Sequence, residues 1–458
     1  MKDKNNDRLD EFLERPKRAV WVVAAPMMAG FMVHAFYAIV DAAFIGRLGP
    51  EALAAATYVG AFFFAAIAFT NGLATGITAT VAQAIGRRDT ERTHRLASNG
   101  LTLGLLIGVL FAASGLLFGQ ELIALMGATG KSADLAWDYL VPICIGMPLF
   151  FISTAVRAVL NGEGDARTPM IILTIATLVN VALDPIFIFA LGWGIRGAAY
   201  ATVLAQAIAL SCFVYVVFIR RRINARFRLS LMPPKATFIK EIAALGIPMT
   251  AGHIIMAAGM GLTNKVVSKF GQIAVTGYGA GSKVDMLVAL PVLGLAAASV
   301  TIIGMFAGAG RADLVRSTAL YTFRWAITTA VVMGACAFLV SGTLIGIFTD
   351  DPTALQIGRE YIHFTVFAYP FMAFGMTSGR ILQGLGFGVP TMIITALRVI
   401  IVGVGGSYIA VYGFDAPIEA VWLSFICGGF FANVLALFWV RTYVWKRDPC
   451  VLAERARM

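Results

Sequence analysis

Charged residues are scarce in this sequence. They make up 13% of the 458 residues, about half of the ~25% that is usual for soluble globular domains. Hydrophobic residues make up 59% and the mean hydropathy is +0.82. This shortage of charge excludes a soluble domain and predicts an all-α protein that crosses the membrane many times.

Motifs of catalytic, metal and phosphate sites are also lacking. The five cysteines and four histidines show no metal-ligand spacing and no CxxC pair. The segment GATGKS at 127–132 lacks the first glycine of a phosphate loop, because Leu125 stands there. The segment GWGIRG at 192–197 joins two apolar runs rather than a strand and a helix. The sequence therefore predicts no enzymatic activity and no cofactor.

Apolar segments long enough to cross about 30 Å of hydrocarbon as helices occur twelve times. Glycine and proline are frequent inside them, as lipid-embedded helices allow. The predicted membrane helices lie at 18–46, 51–85, 97–118, 135–160, 168–191, 197–219, 240–269, 273–308, 316–348, 355–382, 390–413 and 418–445.

Lysine and arginine are divided unequally between the loops on the two sides of these helices. The loops on the side of the termini carry 25 of them and the opposite loops five. The excess of positive charge predicts that both termini are cytosolic, in a multi-pass monomer of the cell (inner or plasma) membrane. The net charge of +11 forms no basic stripe with interleaved aromatic residues, so nucleic acid is not expected as a partner.

The sequence repeats itself at an offset of 222 residues. Pro26 falls on Pro248, Gly30 on Gly252, and Tyr139 on Tyr361. Six helices per copy give both copies the same orientation, which predicts two lobes related by an axis along the membrane normal. The predicted divisions are a cytosolic N-terminal segment 1–17, an N-lobe 18–219, a cytosolic linker 220–238, a C-lobe 239–445 and a cytosolic tail 446–458.

Few acidic residues of the first lobe lie at membrane depth, and Asp41 and Asp184 are the two that matter most here. Asp41 is on helix 1, and Asp184 is on helix 5 in the segment NVALDPIF, four residues after Asn180. An acid near the bilayer centre costs roughly 2.5–3.5 kcal/mol. Polar pairs between membrane helices return only about 0.6 kcal/mol each. A purely structural role therefore explains these acids poorly, and we expect a functional site.

Further polar residues share helix faces with these acids. His34 and Tyr37 lie on the face of helix 1 that carries Asp41, and helix 6 adds Thr202 and Gln206. If helices 1, 5 and 6 lie next to one another, the side-chain oxygen atoms of these residues line one cavity. Burial and a second carboxylate favour the protonated form, so either acid can carry a proton. Hard oxygen ligands also suit a cation such as Na⁺, and the sequence leaves both alternatives open.

The second lobe has no copy of this acidic group. Asp41 falls on Thr263, Asn180 on Val402 and Asp184 on Gly406. Asp285 on helix 8 is the main acid of the second half. Coupling to an ion is therefore expected in the N-terminal lobe.

Four segments carry a resemblance to a known family. They are PMMAG at the start of helix 1, GLATGITATVAQAIGRRDTER at the end of helix 2, LNGEGDARTPM after helix 4, and NVALDPIFIF. Together with the two six-helix halves, they resemble the multidrug and toxic compound extrusion (MATE) family, and the last segment resembles its DinF-like branch.

The resemblance implies a MATE/MOP-type fold with a V-shaped pair of lobes, and a cation-coupled antiporter that exports amphipathic, often cationic, compounds by alternating access. It implies a cation site, for H⁺ or Na⁺, formed by the residues that match the branch: Asp41, Asn180, Asp184 and Thr202. It also implies that helix 1 bends at Pro26 on protonation. A lipid or glycolipid flippase of the same superfamily is the alternative, disfavoured by the acidic first lobe.

Substrate contacts are expected from polar, aromatic and methionine side chains on the inner faces of the lobes. Arg157, on helix 4, departs from the uncharged polar residue that the family leads us to expect. It is either an arginine that extends its side chain toward the cytosolic surface or a cavity residue paired with a carboxylate. The predicted substrate-binding residues are His34, Tyr37, Phe63, Phe64, Ser153, Arg157, Gln206, His253 and Met256.

Overall fold

The computed structural model describes residues 4–219, 225, 227 and 229–455, and within them every helix or strand assigned is a helix. The α-helices are α1 Lys4–Glu14, α2 Pro16–Gly46, α3 Pro50–Gly86, α4 Thr90–Leu125, α5 Lys131–Gly162, α6 Arg167–Pro185, α7 Gly194–Val214, α8 Ala236–Val267, α9 Gln272–Gly308, α10 Ala312–Leu339, α11 Ser341–Gly346, α12 Pro352–Thr365, α13 Tyr369–Gly384, α14 Val389–Ala396, α15 Gly405–Tyr408, α16 Glu419–Val440 and α17 Pro449–Arg455. Wider π-helical turns extend α6, α7, α14, α15 and α16 at their C-terminal ends.

The all-α, multi-pass architecture is confirmed. Eleven helices of the described residues are long and apolar enough to cross a membrane. The remaining predicted span, 355–382, is interrupted between α12 and α13. Pro370 lies in the first turn of α13, and a proline cannot donate the backbone hydrogen bond that would continue the preceding helix. The break explains why this span is two shorter helices.

The internal repeat is visible in the helix boundaries. Helix α3 spans Pro50–Gly86 and α9 spans Gln272–Gly308, so both ends are shifted by 222 residues. The glycine before each helix has a positive φ, 108° at Gly49 and 96° at Gly271, a conformation that glycine adopts at little cost. The turns between the helices therefore repeat together with the helices.

The chain divides into two compact units. Unit 1 comprises residues 1–10 and 29–246, and unit 2 comprises residues 11–28 and 247–458. Helix α2 passes from unit 2 to unit 1 just after Pro26, and α8 passes from unit 1 to unit 2 just before Pro248. The lobe limits expected from the sequence, 18–219 and 239–445, stay predictions. Residues 220–224, 226 and 228 of the expected linker 220–238 lie outside the described residues.

Helix α5 lies at the centre of unit 1, where it packs against α3, α4 and α7. The approach of α4 is close: a Cβ atom at Gly108 would lie 2.8 Å from the Cα atom of Pro148 on α5. In unit 2, α9 packs in the same way against α10, α12 and α13. The central helix of unit 1 thus packs against α7, which carries one of the polar residues described next.

Candidate cation site

The segment NVALDPIF lies at the C-terminal end of α6. Asp184 is fully buried and Asn180 is 2% exposed, one helical turn apart on the same face. Pro185 follows, and the next five residues, Ile186–Ala190, form a π-helical turn. Such turns concentrate at functional sites because they redirect side chains and leave backbone groups available. The buried acid therefore lies where the helix geometry changes.

The amide of Asn180 lies between Asp184 and α7. With its nitrogen turned toward the acid, it donates to Asp184 Oδ2 at 3.1 Å, and its oxygen accepts from the backbone N–H of Thr202 at 3.2 Å. Both polar ends of the buried amide are then used, as buried polar groups require. Asn180 thus joins the acid on α6 to the adjacent helix α7.

Helix α2 contributes Tyr37 and Asp41. The hydroxyl of Tyr37 lies 3.3 Å from Thr202 Oγ1, which places α2 against α7. Asp41 is half-buried and lies within electrostatic range of Asp184. The structure therefore brings together the four residues that the sequence suggested for a cation site, from three different helices.

Each acid keeps one buried oxygen without a hydrogen-bond donor. These atoms are Asp41 Oδ1 and Asp184 Oδ1, and within the described residues neither acid forms an ion pair. A buried acceptor left unsatisfied costs about 1–3 kcal/mol, more if it is charged. A proton or a small hard cation would satisfy these atoms. Nowhere among the described residues do three or more His, Cys, Asp or Glu side chains lie close enough together to hold a metal ion.

Tyr139, on α5, is a member of this group that the sequence did not identify. It is 7% exposed and lies within electrostatic range of Asp41, Asp184 and Tyr37. In the sequence, only its match to Tyr361 in the repeat marked Tyr139 as a candidate. The packing of α5 was needed to show that it lies near the two acids.

The start of α7 is positioned by a close contact with the π-helical turn after Asp184. A Cβ atom at Gly197 would lie 2.5 Å from the backbone oxygen of Phe187. We expect Gly197→Ala to lower the free energy of unfolding by about 1–3 kcal/mol, as overpacking does, and to displace Thr202. Thermal melting of the purified protein in detergent measures this. Gly60→Ala, where a Cβ meets nothing within 4 Å, is the control; equal melting temperatures for the two variants would contradict the contact.

The other predicted substrate residues of unit 1 are distributed over α2, α3, α5 and α7. His34 is exposed and its ring centroid lies 6.1 Å from that of Tyr37. Arg157 lies within electrostatic range of His34. Ser153 and Gln206 form no hydrogen bond to any residue that the structure describes. Phe63 is half-buried and Phe64 is exposed, both on α3.

The remaining predicted substrate residues, His253 and Met256, lie on α8 in unit 2. His253 Nδ1 is 3.0 Å from the backbone oxygen of Met249. His253 also lies within electrostatic range of Arg380. Met256 is exposed. Neither residue therefore belongs to the group around Asp184 within unit 1.

Asp285 of unit 2 differs from the acids of unit 1. Its two oxygens accept hydrogen bonds from the hydroxyls of Tyr361 and, at 2.7 Å, Tyr369. Tyr361 packs in turn against Trp422, with ring centroids 4.8 Å apart. Because both oxygens of Asp285 have donors, this carboxyl is satisfied by the protein alone.

Comparison with known proteins identifies the family. The family model described as MatE matches residues 26–186 and again 239–409, once in each half of the repeat. The chain belongs to the MATE family. MATE proteins are membrane transporters, which confirms that the chain is not an enzyme. Assignment to the DinF-like branch stays a prediction.

Relatives with known names cover most of this MATE chain. The protein named "Probable multidrug resistance protein NorM" of Thermotoga maritima is 27% identical over 95% of this chain and 94% of its own length. A protein of Shewanella oneidensis named "FAD transporter" is 25% identical over 75% of this chain and 77% of its own. A solved structure of a multidrug resistance MATE transporter in an outward-facing conformation is 28% identical, covers 94% of this chain and 96% of its own, and has a TM-score of 0.90.

Proposed function

We propose that this MATE transporter is a secondary active antiporter. It exports amphipathic, often cationic, compounds in exchange for H⁺ or Na⁺, and Asp41 and Asp184 bind the coupling ion. Family membership and relatives named as multidrug resistance proteins support multidrug efflux. The residue assignment rests on the geometry of unit 1.

One observation supports the coupling site above the others: a buried oxygen without a donor on each of two neighbouring acids. Burying two such acids costs roughly 2.5–3.5 kcal/mol each by insertion scales. The hydrogen bonds from Asn180 and between Tyr37 and Thr202 leave those two oxygens unused. A bound proton or Na⁺ removes the penalty, and its loss restores it, so the site favours an exchangeable ion.

Exchange requires that the substrate bind the ion-loaded and ion-free states with different affinity. Helix α2 provides a connection, because it carries Asp41 and also the proline at which the chain passes between the units. Ion binding at Asp41 and bending at Pro26 therefore act on one continuous helix. We propose that this helix converts ion occupancy into a change of access.

Proteoliposomes that contain the purified full-length chain and internal DNA test the proposal. Ethidium fluorescence reports accumulation, driven either by an acidic interior without Na⁺ or by internal Na⁺ at equal pH. We expect one of the two ion gradients to increase ethidium accumulation above the level without a gradient, and no increase in protein-free liposomes. If neither gradient drives accumulation, antiport of organic cations is wrong. The two arms also distinguish H⁺ from Na⁺.

The named relatives also bear on substrate chemistry. One of them is named a transporter of FAD, which is an anion, whereas the compounds proposed above are often cationic. Polar side chains of unit 1 outside the proposed cation site therefore bear on whether this chain binds positively or negatively charged groups of a substrate.

A further inference from the structure

Arg157 is a charged residue of a membrane helix without a partner. Its side chain is half-buried, and it forms no hydrogen bond or ion pair with any residue that the structure describes. Among the described residues it lies within electrostatic range of His34, a side chain that adds no negative charge. Ionisable residues at membrane depth normally pair, and a buried charge without a partner is costly. The five N–H donors of the guanidinium are thus available to a ligand.

The Cα–Cβ bond of Arg157 is directed away from the nearer end of its helix. In an α-helix these bonds tilt toward the N-terminus, and α5 begins at Lys131 and ends at Gly162. His34, which lies within electrostatic range of Arg157, is about 27 Å from the start of α2 at 1.5 Å per residue. Both observations favour a position of Arg157 inside unit 1 over one at the cytosolic surface.

Pairing with a carboxylate of the protein is also excluded within the described residues. Asp41 and Asp184 form no ion pair with Arg157. Asp184 is influenced electrostatically by Asp41. The two acids and the arginine are thus separate charged features of one unit.

A second donor without a partner lies beside Arg157. Ser153 is four residues earlier on α5 and so on the same face of that helix. Its side chain is 6% exposed, and its Oγ atom has no hydrogen-bond partner. A buried hydroxyl and a guanidinium, both unused and one turn apart, form a pair of donors that matches an oxyanion.

We propose that Arg157 and Ser153 bind an anionic oxygen group, a carboxylate or a phosphate, of the compound that the protein transports. The inference rests on the proposed export function and specifies its substrate class: amphipathic molecules that carry a negative group, alone or as zwitterions. The guanidinium binds such a group with two parallel hydrogen bonds. The acids of the cation site remain free to bind the coupling ion.

Two dyes that differ in one group test this proposal. Rhodamine 110 has a free carboxylate, and rhodamine 123 is its methyl ester. Binding to the purified full-length chain in detergent is measured by fluorescence polarisation. We expect Arg157→Gln to weaken binding of rhodamine 110 about tenfold or more, as loss of a charge-assisted hydrogen bond does, and to change binding of rhodamine 123 less than twofold. Arg157→Lys should give an intermediate affinity for rhodamine 110, because the charge remains but the paired geometry is lost.

Arg95→Gln is the matched control for the loss of one positive charge, because Arg95 is a partly exposed side chain paired with Glu91; it should bind both dyes as the unchanged protein does. Three results would overturn the proposal. Arg157→Gln weakens binding of both dyes equally, it weakens binding of neither dye, or rhodamine 110 does not bind to the unchanged protein. Displacement of rhodamine 110 by added phosphatidylglycerol that depends on Arg157 would overturn it as well, because it would assign the site to a lipid headgroup. The binding measurement in detergent uses no ion gradient. A protein that does not catalyse antiport can therefore still give the expected binding result, and the two proposals fail independently.

Discussion

Asp184→Asn is expected to abolish the increase in ethidium accumulation that the ion gradient produces. The amide has nearly the shape of the protonated acid but cannot gain or lose a charge, so ion binding and release stop. Asp41→Asn should have the same effect, because Asp41 lies within electrostatic range of Asp184 in unit 1. Exchange of ethidium down its own gradient should continue, since the protein still folds. The melting temperature should stay equal or rise, because a buried charge is removed.

The matched control is Asp285→Asn. This carboxyl is held by two tyrosine hydroxyls in unit 2, so it has no unsatisfied oxygen for an ion. Its variant should still accumulate ethidium under the gradient. Loss of accumulation in Asp285→Asn with normal accumulation in Asp184→Asn would place coupling in the second half of the chain.

Pro26→Ala is expected to slow turnover about tenfold without loss of folded protein. Alanine restores the backbone hydrogen bond that a proline removes, and the helix becomes harder to bend. Each 1.4 kcal/mol or so added to the cost of the bend slows the step about tenfold. Pro248→Ala should act in the same direction, because α8 also passes between the units beside its proline.

Pro142→Ala provides the comparison for both variants. Pro142 lies inside α5, a helix contained entirely in unit 1, so its replacement should leave turnover unchanged. Initial rates of ethidium uptake, divided by the amount of folded protein from size-exclusion chromatography, measure the effect. Unchanged rates for both Pro26→Ala and Pro248→Ala would show that neither proline acts as a hinge.

The class and repeat of this fold could be predicted from the sequence because both depend on local patterns. Long apolar runs predict membrane helices whatever their neighbours, and glycines with positive φ recur 222 residues apart, as at Gly49 and Gly271. The effect of a proline on its helix could not be predicted in the same way. Pro148 and Pro370 hold equivalent positions in the repeat, yet α5 continues through the first and the helix is broken before the second. Tertiary packing, such as that of Gly108 on Pro148, differs between the copies.

The polar residues of unit 1 could likewise be predicted only in part from the sequence. The spacing of Asn180 and Asp184 was sufficient to place them on one face of a helix, and the burial cost marked Asp41 and Asp184 as functional candidates. The position of Tyr139 within electrostatic range of both acids depends on how the helices of unit 1 pack together. That Arg157 has no hydrogen-bond or ion-pair partner among the described residues likewise depends on every neighbouring side chain, which helical periodicity does not supply.

Release of the coupling ion on substrate binding tests the central claim most directly. Rhodamine 6G is added to the purified protein in weakly buffered detergent solution, and the released protons are measured with a pH indicator and the released ²²Na⁺ by scintillation proximity. The unchanged protein should release one of the two ions when it binds the dye. The double variant Asp41→Asn and Asp184→Asn should bind the dye and release neither. Equal ion release from the double variant would contradict the assignment of the coupling site to these two acids.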